Sequence, residues 1–243
     1  LEMYSAYLSG AGHEVTTASD GVHALAILDE RSFDVLVTDL VMPYIDGEKL
    51  SRLVRHRFPK EPSLVIALSA AAVEREKRRS DDVDVYIAKG DPQVTGAIIL
   101  DTLSKRSSSV GVLRADGVEP RRITQEFLDL ESDSALILHE MSQGVLGLDK
   151  NGTVLLANRS AEEFLGVAEE ELLGRRLSDF SSVSELSALL VAESEGSGLR
   201  RRVLTLRDER LILRAEVRTT RSSRGLGYFI FLTDVTAEHA VSK

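Results

Sequence analysis

Residues 33–39, Phe33-Asp34-Val35-Leu36-Val37-Thr38-Asp39, decide the fold class of the first half of this chain. The apolar, β-branched run lacks the alternation of a half-solvated strand. Both its faces must therefore be covered, as in a strand inside a parallel sheet. Leu64-Val65-Ile66-Ala67-Leu68-Ser69 repeats the signature, and a shorter strand is expected from Val83 to Ala88. Around these runs the period changes to that of helices, predicted over 1–10, 22–30, 48–57, 71–80 and 92–103, with a further short strand at His13 to Ala18. Leu50, Leu53 and Val54 share one face of the third helix, and Pro59 follows its end. Strands alternating with helices imply right-handed crossovers and a parallel sheet covered on both faces, so this half is α/β.

Residues 104–120 are rich in Ser, Gly and charge and read as a linker. Over 121–143, Ile123, Phe127, Leu130, Ser134, Ile137 and Met141 fall at alternating spacings of four and three. Two readings stay open for this helix: an amphipathic helix laid on its own domain, or a dimerising signalling helix. From Gly144 the grammar changes again. Val145 to Asp149 and Thr153 to Ala157 flank an Asn151-Gly152 turn, which predicts a hairpin. Short helices at 160–166 and 168–173 and a longer one at 183–193 precede strands at 199–206, 209–219 and 226–234, the order of an antiparallel α+β domain.

The 243 residues accommodate two domains of ordinary size, and 43% hydrophobic with 28% charged residues is a globular composition. A net charge of −9 argues against nucleic-acid binding. The absence of cysteine excludes disulfides, thiol nucleophiles and cysteine-ligated metal. No apolar run approaches the ~20 residues of a membrane span. A cytoplasmic protein with no membrane or nucleic-acid partner is the expectation.

The three buried strands run into polar residues, Asp39, Ser69 and Lys89. Ligands of open parallel sheets bind beyond the carboxyl ends of the strands. A carboxylate, a hydroxyl and an ammonium converging there would suit phosphoryl chemistry. The carboxylate can act as nucleophile, the ammonium neutralises charge, and the hydroxyl donates a hydrogen bond to a phosphoryl oxygen.

On Asp39-Leu40-Val41-Met42-Pro43 with Asp46-Gly47, Leu68-Ser69-Ala70 and Tyr86-Ile87-Ala88-Lys89, residues 1–106 resemble the receiver domain of bacterial response regulators. The resemblance implies a flavodoxin-like doubly wound sheet. It also implies a phosphoacceptor at Asp39, with Ser69 and Lys89 as its partners and Tyr86 as an aromatic switch. Mg²⁺ would be held partly by Asp39 and the Val41 backbone carbonyl. The family's acid pair at the end of the first strand has no counterpart here, so the chain is expected to lack that strand and to be a receiver truncated at its N-terminus. Gly90 stands where the family usually has a proline. On phosphorylation, Ser69 is expected to move toward the phosphoryl group and Tyr86 to turn inward, altering a face that includes Glu74 to Arg79.

Residues 132–243 resemble a PAS domain, on Gly144 to Asp149, Asn151-Gly152, Leu155-Leu156-Ala157-Asn158, Ala161 to Gly166, Leu173-Gly174 and Leu232-Thr233-Asp234-Val235-Thr236. Asn158 is expected to cap the helix that follows it. No PAS ligand is assigned: a filled core and a small apolar pocket both fit the sequence. Without cysteine a thiol-linked chromophore is excluded, and His139 and His239 lie where the family places no haem ligand. Residues 107–131 would then join the two domains and begin the signalling helix.

The combined expectation is a two-component protein that receives a phosphoryl group from a sensor histidine kinase, homodimerises through the linker helix or PAS domain, and contains no kinase module. The alternatives are the front end of a hybrid histidine kinase whose catalytic region follows Lys243, or a degenerate receiver serving only as an interaction module.

Overall fold

The computed structural model describes residues 2–69, 80–105, 111–113, 138–180, 184–194, 201–206, 210–220 and 226–240. They belong to two compact units, Leu1–Leu128 and Asp129–Lys243.

In the first unit, strands β1 (Val35–Asp39), β2 (Leu64–Ser69), β3 (Val85–Ala88) and β4 (Gly111–Leu113) form one parallel sheet in that order. Helices α1 (Glu2–Gly10), α2 (Gly21–Glu30), α3 (Gly47–Arg57) and α4 (Pro92–Lys105) accompany it. The continuous apolar runs are explained by β2, whose alternate residues enter two different cores. Ile66 and Leu68 join Leu8, Val85, Ile87 and Ile99. Val65 and Ala67 join Leu40, Val83 and Tyr86. Asp20 and Asp46 cap α2 and α3, accepting from the backbone N–H groups of His23 and Lys49 at 2.8 Å each.

Two expectations need correction. Residues 13–18 form no strand. Their local pattern suits one, but a strand exists only where a neighbour completes its ladder, and among the described residues β1 pairs with β2 alone. An open groove of about 1000 Å³ lies beside β1, lined by Leu8, Val15, Ala24, Leu28 and Val37 among others. Conversely, the segment read as linker contains β4, which pairs in parallel with β3 through Val85↔Gly111, Tyr86↔Val112 and Ile87↔Leu113. Three residues inside a Ser/Gly-rich stretch carry no legible strand period, and tertiary pairing outweighs that composition. Residues 71–79 of the charged helix, including Glu74 to Arg79, lie outside the described residues, as do 114–137.

In the second unit, β5 (Gly144–Asp149), β6 (Val154–Ala157), β7 (Arg201–Leu206), β8 (Leu211–Thr219) and β9 (Leu226–Asp234) make an antiparallel sheet ordered β6-β5-β9-β8-β7. Period-2 alternation sends Leu146, Leu213, Ala215, Val217, Ile230 and Leu232 to one buried face. Helices α5 (Arg159–Leu165) and α7 (Ser184–Ser194) pack on β5 and β8, and α6 (Glu169–Leu172) packs on β6. Gly166 ends α5 in the left-handed region, φ 68°. A short α8 (Thr236–Ala240) follows the sheet. No helix among the described residues is long and apolar enough to cross a membrane.

Candidate functional site

The register brings the three polar strand ends together. Asp39 pairs with Leu68, so Ser69 lies one residue beyond it on β2, and Ser69 pairs with Ala88, the residue before Lys89. The Lys89 N–H donates to the Ser69 carbonyl at 2.7 Å, extending the ladder by one bond. Lys89 Nζ donates to Asp39 Oδ2 and forms an ion pair with it. The Val41 N–H donates to Asp39 Oδ1 at 3.1 Å, so a cation and a backbone donor orient the two carboxylate oxygens separately. The side chains of Lys89 and Asp39 are 31% and 25% exposed, shielded enough to strengthen their attraction yet open to a reactant. Ser69 is 9% exposed.

The loop after Asp39 folds back over it. The Gly47 N–H donates to the Leu40 carbonyl at 3.3 Å, and a Cβ on Gly47 would collide with the Asp39 carbonyl oxygen. Glycine at this position is thus a steric requirement, beyond the Asp-Gly turn signal legible in the sequence. Thr38, 2% exposed, directs its hydroxyl to the Asp39 carbonyl at 3.2 Å. Periodicity had marked Thr38 only as part of the strand. Tyr86 is buried at 8% exposure, and its hydroxyl accepts from the Ser80 N–H at 3.2 Å.

Mg²⁺ was the expected cofactor, with Asp39 and the Val41 carbonyl as partial ligands. Among the described residues no group of three or more His, Asp or Glu could hold a metal ion. One Asp39 oxygen accepts from the Val41 N–H and the other from Lys89. The residues present therefore do not fit an octahedral oxygen site, which needs several hard oxygen ligands.

In the second unit, Asn158 is 4% exposed and its side chain makes four hydrogen bonds. Oδ1 accepts from Ala161 N at 3.1 Å, as a cap should, and from Val145 N at 2.7 Å. Nδ2 donates to the carbonyls of Leu138 and Gln143, at 2.9 Å each. Cap chemistry was legible; the donation to the incoming segment was not. Gln143 Nε2 also reaches Thr233 Oγ1 at 3.0 Å, tying that segment to β9. At the outgoing end, Thr236 donates its N–H and its hydroxyl to Asp234 Oδ1, at 2.8 and 2.5 Å, which holds the Asp234 carboxyl below its ordinary range. His139 is exposed on the helical turn 138–140.

The description "Response regulator receiver domain" matches residues 1–100, and "PAS fold" matches residues 132–235. The gliding motility regulatory protein of Myxococcus xanthus is 34% identical over 88 residues, covering 35% of this chain and 11% of its own length. The sensor histidine kinase TmoS of Ectopseudomonas mendocina is 24% identical over 180 residues, covering 66% of this chain and 18% of its own. A PAS domain of an HTR-like protein from Haloarcula marismortui, 18% identical, aligns with a TM-score of 0.35 and covers 46% of this chain and 98% of that one. The chain spans less than a fifth of the length of either curated relative.

Proposed function

The chain joins a response regulator receiver domain to a PAS domain and so belongs to two-component signalling; from this premise we propose that Asp39 is its phosphoacceptor, with Lys89 and Ser69 as the groups that receive the phosphoryl oxygens. The phosphodonor is the phosphohistidine of a sensor histidine kinase. An Asp39 carboxylate oxygen attacks phosphorus, the P–N bond to the imidazole breaks, and the leaving nitrogen takes a proton from water. Lys89 transfers its ammonium from the carboxylate to the incoming phosphoryl oxygens, and the Ser69 hydroxyl donates to another. The product adds about 1.5 to 2 negative charges beside these residues, which is the physical signal. Tyr86, closing the core on the other side of β3 from Ile87, acts as the switch that registers it. Its hydroxyl accepts from the Ser80 N–H, which ties the ring to the chain just before β3.

The observation that carries this reading is the ion pair between Lys89 and Asp39 at the ends of two strands, with Ser69 on the strand between them. The test is incubation with a labelled small acyl phosphate and Mg²⁺. The parent chain should take up label that Asp39→Asn does not, and undiminished labelling of Asp39→Asn removes the assignment. Output passes to the PAS domain and alters association of the protein in the cytoplasm, in which it acts as a homodimer.

A second reading is favoured by the match to TmoS, which at 180 residues is longer than either domain. Here the two domains are the front of a hybrid histidine kinase whose catalytic region follows Lys243. Sequencing the reading frame downstream decides between the two: a dimerisation helix carrying a phosphoacceptor His supports the kinase, and its absence supports the regulator.

A further inference from the structure

The placement of Lys89 depends on more than its strand. Once the Lys89 N–H has reached the Ser69 carbonyl, the sheet holds the chain no further, and the next residue is a glycine with the widest backbone freedom of any residue type. The Lys89 ammonium sits at the end of a flexible four-carbon stem, so a small rotation of the backbone carries it far from Asp39. What limits that rotation is visible in the turn. The Gly90 N–H donates to Thr95 Oγ1 at 3.1 Å. Thr95 is fully buried, with an exposure of 0%. It is itself fixed: its N–H donates to the Asp91 carbonyl at 2.9 Å. The Asp91 carboxylate in turn accepts from Gln93 N at 2.9 Å and Val94 N at 3.4 Å. The neighbouring Gly96 lets the Tyr7 ring of α1 approach within 3.0 Å of where a Cβ would stand, so the start of α4 is seated against α1.

We infer that Thr95 is a positioning residue for Lys89: by accepting the Gly90 N–H, its hydroxyl fixes the turn after β3 and aims the Lys89 ammonium at Asp39. The reasoning is local. Lys89 is held by hydrogen bonds on both sides, its own N–H on β2 and the next N–H on α4. The second of these is the only one made by a side chain, and a buried acceptor for a backbone N–H is costly to remove. The role deepens the reading of Asp39 as phosphoacceptor, because the same ammonium would receive the phosphoryl oxygens. The ion pair it controls exists whether or not that reading holds.

The test uses the full chain and reads hydrogen exchange of the Lys89 ammonium by nitrogen-edited NMR, with melting temperature recorded in parallel. Asp39→Asn sets the exchange rate of Lys89 without its partner. Thr95→Ser keeps the acceptor and should exchange within about twofold of the parent. Thr95→Val keeps the shape but removes the acceptor, and should exchange about fivefold faster, toward the Asp39→Asn rate. If Thr95→Val only melts earlier, with Lys89 exchange unchanged, the role is structural and the inference fails. It fails too if Asp39→Asn leaves Lys89 exchange unaltered. Should Thr95→Val not fold, Thr95→Ala removes the acceptor with a smaller side chain and should likewise exchange about fivefold faster at Lys89, whereas exchange within about twofold of the parent overturns the inference. Labelling by a small acyl phosphate is scored separately. Its absence in the parent, with the exchange pattern intact, counts against the phosphoacceptor reading and leaves the positioning role standing.

Discussion

Lys89 and Asp39 form an ion pair although they stand on strands that do not touch: β2 separates β1 from β3, and the lysine side chain reaches past it. Fifty positions of sequence separate the two. The pair is a product of sheet order, since parallel strands present their carboxyl ends to one side. Replacing Lys89 by Met leaves the Asp39 carboxylate with the Val41 N–H as a donor. Chemical unfolding of Lys89→Met should show a loss of about 1–2 kcal/mol, between the values typical of exposed and buried pairs. Labelling of Asp39 by an acyl phosphate should slow by roughly a hundredfold, as for loss of one charge-stabilising donor. A variant that is destabilised yet labels at the parental rate would show that the ammonium is structural alone.

Gly47 provides a test of how tightly the loop closes over Asp39. A Cβ there would stand 2.9 Å from the Asp39 carbonyl carbon and 3.0 Å from Leu40 Cα, both backbone atoms that cannot rotate aside. Gly47→Ala must therefore move the backbone of α3 or of the β1 end. The expected cost is about 1–3 kcal/mol, read from the denaturant midpoint. Because the strain falls on Asp39 itself, the backbone amide shifts of Asp39, Leu40 and Val41 should change most in the heteronuclear spectrum.

The parts of the fold legible in the sequence are those whose cause is local. In β1 and β2 the unbroken apolar runs report burial on two faces, and the polar residues that end them follow from the same pattern. The Asn158 cap is equally local, one residue ahead of its helix. Residues 13–18 were misread because a strand's existence depends on a neighbour, and no pattern within six residues reports one. β4 was missed for the complementary reason: β3 supplies the pairing that its own composition does not announce. The convergence of Asp39, Ser69 and Lys89 at neighbouring strand ends was legible. Thr95 was not, because its role arises when a turn brings its hydroxyl back to Gly90.

Asn158 separates a cap from something larger. As a pure N-cap, Asp would replace it with little loss, because the two residues cap about equally well. Here Nδ2 faces the carbonyls of Leu138 and Gln143, so a carboxylate oxygen in its place would meet two acceptors with no donor between them. Asn158→Asp should cost on the order of 2–4 kcal/mol by the unsatisfied-acceptor argument, with the negative charge at the upper end. A loss below about 0.5 kcal/mol would reduce Asn158 to its capping role.

Glu162 gives the PAS unit a pH dependence whose sign is fixed by its surroundings. Burial raises its pKa above the ordinary 4.5, and the charges of Glu169 and Glu170 act in the same direction. The Glu169 N–H, bonded to Oε1 at 2.7 Å, and His139 oppose that rise without cancelling it. The folded protein therefore holds this proton to higher pH than the unfolded chain does. Below the unfolded value both states are protonated and the side chain carries no ionisation penalty. As pH rises from there through the raised folded value, unfolding releases a proton and stability declines. Above that window the penalty is complete. Glu162→Gln keeps an oxygen for the Glu169 N–H and removes the ionisation. Its stability should exceed that of the parent at about pH 7, with the difference shrinking toward pH 4. Comparing the two proteins cancels Asp234, whose lowered pKa acts in the opposite sense, losing stability as pH falls. Urea unfolding monitored at several pH values gives the difference directly, and a gap between the two proteins that does not change with pH would contradict the assignment.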